Sequence, residues 1–179
     1  MKEFLPDTAR EPLWTLREDY RVLRSDETGA GRYRFYSGDR MIGSAHVLVQ
    51  RNWPLVINCG ALVFNSFYDM ETTYYPGSIR EIIDADDPAN VVAKLIFRTV
   101  GQYELQVNFS TGLQRLQIHS AEDTHLFYRD DAPIARITPA GDVRQKGDWN
   151  VHCRMESLEE LSDELALMML CYPLLRFAL

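Results

Sequence analysis

Residues 165–179 carry one charge, at Arg176. Soluble chains usually close on a polar, frayed segment, so so apolar a run needs somewhere to hide. A helix that is apolar on all sides has to be surrounded by protein or by lipid. A membrane anchor needs about 20 apolar residues. Here the fifteen follow Glu159, Glu160, Asp163 and Glu164, and they are interrupted by Pro173 and Arg176. That length and those interruptions favour a helix buried in protein, with membrane insertion as the alternative, and no transmembrane span is expected. What precedes the helix must then be able to enclose it.

Upstream, a leader over residues 1–18 reads as irregular, and residues 19–179 read as one domain. Short alternating runs separated by turn signals mark strands. They fall at 19–24, 32–36, 41–49, 55–58, 61–64, 68–75, 79–83, 91–97, 102–108, 113–119, 125–129, 134–138 and 148–155, about a dozen strands in all. Gly38 and Asp39 form a hairpin turn between two of these runs, and Gly101 forms another. Phe35, Tyr36, Asp39 and Ile42 recur as Phe127, Tyr128, Asp131 and Ile134, which suggests a repeated hairpin and a duplicated half-barrel.

Ser157 and Glu160 have the spacing of a capping box, and the acidic residues after them suit the positive end of a helix. The helix is therefore expected over about 157–178. Pro173 should kink it or end its regular part near Tyr172. A dozen antiparallel strands leave edges that closure into a barrel would remove. A barrel wider than eight strands has room for a central helix. The expected fold is mainly β: a closed antiparallel barrel of about 12 strands enclosing the hydrophobic C-terminal helix. A helix-grip fold is the rival, but its helix would carry a polar, solvent-facing stripe, which 165–179 lacks.

The strand count, the 35–43 hairpin and the terminal helix together resemble the tubby-like superfamily. That superfamily includes tubby C-terminal domains, plant LURP-one-related proteins and phospholipid scramblases. The resemblance covers about residues 19–179, with small bacterial single-domain members as the nearest analogues. It implies a barrel threaded by its last helix, and a binding or scaffold role.

Composition narrows the function. The net charge of −7 disfavours broad binding to nucleic acid or to an anionic surface. Only Lys2, Lys94 and Lys146 are lysines among the 19 cations, and arginine suits bidentate phosphate or carboxylate contacts. Residues 1–10 have no apolar signal core. Cys59, Cys153 and Cys171 are odd in number and widely spaced, as reduced thiols in a cytoplasmic protein would be.

No catalytic residue, cofactor or metal is expected. His46, His119, His125 and His152 are scattered, and Cys-x-x-Cys, His-Glu-x-x-His and Gly-x-Ser-x-Gly motifs are missing from the sequence. Gly29 and Gly31 read as a tight turn rather than a phosphate cradle. Asp84, Asp86 and Asp87 read as a solvated loop rather than a calcium site.

Tubby domains bind phosphoinositide head groups through cationic side chains on barrel strands. By that resemblance Arg32 and Arg34, two apart on one strand face, and Arg129 in the echoing hairpin are the candidate lipid- or phosphate-binding residues. Trp53 and residues 67–75 offer aromatics for a partner surface, or for strand packing. The expected function is a non-enzymatic binding or scaffold domain whose partner is a protein or lipid head group. The alternatives are a peripheral membrane or phospholipid-interacting protein, and an enzyme without recognisable motifs.

Overall fold

A computed structural model describes residues 3–4, 10–23, 29–49, 55–66, 76–109, 112–139 and 153–177. Its strands are β1 (Arg10–Leu23), β2 (Gly29–Ser37), β3 (Arg40–Val49), β4 (Leu55–Cys59), β5 (Leu62–Ser66) and β6 (Ile79–Asp84). They continue as β7 (Val91–Thr99), β8 (Gln102–Phe109), β9 (Gly112–Ala121), β10 (Thr124–Arg129), β11 (Ala132–Pro139) and β12 (Cys153–Ser157), followed by helix α1 (Asp163–Phe177). Each strand pairs antiparallel with its neighbour in sequence, and β1 pairs with β12, so the sheet closes into a barrel. Tyr68 and Tyr75 of the expected 68–75 strand lie outside the described residues, as does Trp53.

Alternation sets the two faces of the wall. On β2, Tyr33 and Phe35 are buried, whereas Arg32 is exposed and Arg34 half-buried. On β9, Leu116 and Ile118 point inward, and Gln117 between them is exposed. Such an inward row supplies the apolar lining that an all-round apolar helix requires.

The helix fills the barrel. Residues 165–175 are all buried, and strands on different sides of the ring touch them. A Cβ placed on Gly43 of β3 would meet Leu167 Cδ1 at 2.4 Å. The Tyr172 ring packs edge-on against Tyr103 of β8 and Phe127 of β10. Arg80 of β6 donates from Nη1 to the Leu175 carbonyl at 3.0 Å. Among the described residues no helix is long and apolar enough to cross a membrane.

Four expectations change. β1 begins at Arg10, inside the stretch read as an irregular leader. Pro12 masked the strand, and the register slips between Arg10 and Trp14, the kind of irregularity at which a strand tolerates proline. Second, α1 starts at Asp163 rather than near Ser157. Ser157 closes β12, and its hydroxyl accepts from Glu159 N at 3.2 Å within a local turn. Ser162 is the cap instead: Leu165 N donates to its Oγ at 3.2 Å.

Third, of the two outcomes expected at Pro173, the helix does not end near Tyr172 but runs on to Phe177. Proline removes the donor to the Met169 carbonyl, and Arg80 supplies a donor further on, at Leu175. Fourth, the echoing hairpins are real, but they are not two halves. In each, the register shifts between Phe and Tyr, with Phe35 opposite Gly43 and Phe127 opposite Ala135. They lie on β2–β3 and β10–β11, eight strands apart in chain order, whereas half of a twelve-strand ring is six.

Candidate functional site

The rotation of β1 and β2 brings three arginines onto one outer face. Arg17 lies directly opposite Arg34, and Arg32 is two residues along the same strand. Arg17 and Arg32 are exposed, and Arg34 is half-buried. The described outward neighbours of the pair are Thr15, Tyr36, Arg32 and Ser44, none of them acidic. The Arg17 guanidinium sits over the Tyr36 ring, 4.6 Å from its centroid. That contact holds the side chain down on the sheet by cation–π attraction. Arg17 and Arg32 thus stand as exposed cations on one outer face of the wall.

Arg129 does not join this face. It ends β10, with β11, β12 and β1 intervening before β2. There its guanidinium is ion-paired with Glu159 and donates to Gln114 Oε1 at 2.8 Å. It lines an open depression of about 660 Å³ with Arg115, Asp130, Glu160 and Leu165. Its charge is spent on tying β9, β10 and the β12–α1 connection together where the helix begins. On the opposite side of that mouth, Arg40 makes a bidentate pair with Asp163 at 2.9 and 3.1 Å. The Arg40 pair holds the first turn of the helix, and the Arg129 pair holds the connection that leads into it.

The interior holds two polar clusters. Ser120 Oγ lies 2.7 Å from Tyr172 Oη and 3.0 Å from His125 Nδ1. His125 is buried and packs edge-on against the Tyr172 ring at 5.0 Å. One consistent arrangement runs from Tyr172 O–H to Ser120, and from Ser120 O–H to the imidazole. It satisfies a buried phenol and fixes the rotation of α1. Arg80, also buried, donates from Nε to Ser66 Oγ at 3.0 Å in addition to its bond to Leu175. A cation at the C-terminal end of a helix interacts favourably with the helix dipole.

The three cysteines are free and buried. Burial pushes the Cys153 thiol up to about 12 and raises those of Cys59 and Cys171 as well. At neutral pH they are therefore protonated and inert.

Arg17 and the two interior clusters were missed in the sequence. Arg17 fell within the stretch read as a leader. Arg80 carried a usable signal, because alternation puts it on the same face as Ile82, which is fully buried. The Tyr172 cluster joins residues 52 positions apart, and nothing local marks it. No protein-family model, curated protein or solved structure matches the chain.

Proposed function

We propose that the protein is a cytoplasmic, non-enzymatic binding domain of the tubby-like kind that recognises an anionic group on the outer face of β1 and β2. The observation that carries this reading is the placing of the exposed Arg17 and Arg32 on one outer face of the β1–β2 ladder. An anion that reaches both exposed groups gains charge-assisted hydrogen bonds. Arginine suits the task, because its planar fork matches phosphate or carboxylate oxygens. The helix occupies the middle of the barrel, which supports a reading in which recognition lies on the outside. The free, buried thiols accord with a reducing compartment.

The test is a nitrogen-15 NMR titration at low salt with inositol hexakisphosphate, a free polyphosphate. In parallel, the protein is sedimented with vesicles of neutral phospholipid, with or without a phosphoinositide. Shifts should appear at Arg17, Arg32 and Arg34 and vanish in the Arg17→Glu/Arg34→Glu variant, whose changes lie on the outer face. Vesicle binding that depends on the phosphoinositide would make a lipid head group the source of the phosphate. Shifts without vesicle binding would make it a soluble ligand. If neither probe touches this face, the reading falls.

A further inference from the structure

Arg136 stands on the outer face of β11, between Ala135 and Ile137, which are wholly buried. Its partners across the two ladders are Leu126 of β10 and Glu156 of β12. Nη2 donates to Glu156 Oε2 at 2.6 Å, so the charge is already engaged. One face of the guanidinium is covered by Phe4, whose ring centroid lies 4.8 Å from Cζ. Phe4 belongs to no strand. It precedes β1 in the chain yet lies over β11, with β12 between those two strands in the ring. An aromatic ring from outside the sheet is thus lodged on the barrel wall, only 8% exposed.

The ring is held by its own burial and by cation–π attraction. The fit is incomplete at one atom. Arg136 Nε is buried and has no hydrogen-bond partner. A buried donor without an acceptor has given up its water and gained nothing in return. When Phe4 leaves, water reaches that N–H, so the closed arrangement is opposed by a cost that opening removes. Phe4 has no place in the sheet ladder and can leave without breaking a strand pair.

We infer that Phe4 is an exchangeable occupant, and that the Arg136 face is a docking seat for an aromatic side chain in a linear segment of a partner protein. Glu156 keeps the charge of Arg136 throughout. What the seat offers is a flat guanidinium face beside Leu126, and an unused Nε–H. An aromatic side chain suits the face, and an incoming segment can bring an oxygen to the N–H, which a phenyl ring cannot. The sheet is closed and has no free edge, so such a segment is held by its side chain rather than as an added strand. A tethered occupant competes at high effective concentration, so Phe4 sets a threshold that a partner has to exceed. This inference is separate from the anion-binding reading, because Arg17 and Arg32 take no part in it.

The experiment uses the full nitrogen-15-labelled chain, as wild type and as Phe4→Ala. Two fluorescent peptides carry the sequence of residues 1–9, one unchanged and one with Phe4→Ala. The unchanged peptide should bind the Phe4→Ala chain at least about tenfold more tightly than it binds the wild type, where the tethered ring competes. It should also shift the Arg136 Nε–H signal, and the peptide with Phe4→Ala should bind neither chain. In the wild type alone, that N–H should exchange with solvent at a rate that low urea leaves unchanged, as local opening does.

Equal affinity of the unchanged peptide for the two chains overturns the inference. So does equal binding of the two peptides, binding that leaves Arg136 Nε–H unmoved, or no binding at all. A Phe4→Ala chain that fails to fold, or a wild-type N–H that exchanges only through global unfolding, makes Phe4 part of the core and overturns it as well.

Discussion

Burial makes the cysteines a pH-dependent stabiliser. The Cys153 thiol is raised from 9.0 to about 12 because an apolar surrounding disfavours the thiolate. The unfolded chain gives up that proton near 9, and the folded protein holds it to about 12. Stability due to this group is therefore complete below pH 9.0 and is lost as pH rises from 9.0 towards 12. By pH 10 the loss is about 1.4 kcal/mol for a single thiol. Urea midpoints should fall between pH 8 and pH 10 in the native protein, and by less in Cys153→Ala. Parallel declines in the two would sink this account. At the same scale, the sequence revealed Arg32 and Arg34 through simple alternation. It misjudged Arg129, whose charge is engaged by Glu159, because no spacing rule joins positions thirty residues apart.

Among the elements, α1 and β3 make the most exacting contact. Gly43 stands where a Cβ would come within 2.4 Å of both the Asn58 carbonyl oxygen and Leu167 Cδ1. A leucine tip can move aside, but a carbonyl of the paired strand β4 cannot move without breaking the ladder. Gly43→Ala should therefore cost about 1–3 kcal/mol, the usual range for overpacking. It would register as a lower urea midpoint with an unchanged slope. A neutral or stabilising result would mean that the wall yields there. The strands themselves were readable because each turn carries its own chemistry: Gly38, Gly60 and Gly101 at positive φ, and Asp130 and Asp131 both in the left-handed region, as a tight two-residue hairpin requires. The start of the helix was not readable in the same way. Ser157 and Ser162 are both followed by acidic residues, and it is the pairing of Ser157 with Ala135 of β11 and Arg10 of β1 that shows the sheet still needs it.

For the molecule as a whole, helix and barrel wall depend on each other. Residues 165–175 are buried along their length, and each large apolar side chain contributes about 1.5–3 kcal/mol by leaving water. A chain cut after Glu164 leaves a ring lined with Leu16, Phe35, Ile57 and Leu116 facing an empty centre. It should lose cooperative unfolding in calorimetry and its near-ultraviolet circular dichroism. A truncated protein that melts in one sharp transition would refute the idea that the helix is the core. This architecture was legible in outline, since an all-round apolar helix preceded by alternating strands leaves few other solutions.

The ring is closed by Thr15 meeting Arg154, and the helix follows that last strand in the chain. A growing polypeptide therefore emerges from the ribosome with its seam open and its hollow unfilled until β12 and the helix have followed the other strands out. Hairpins can form early, each held by its own turn, but the seam and the core come together only once β12 and the helix are available. Non-local pairing of this sort slows folding to milliseconds or longer, and it leaves apolar strand faces uncovered in the interval. In a living cell this interval, more than the finished barrel, is when the protein is exposed to aggregation and in need of chaperones.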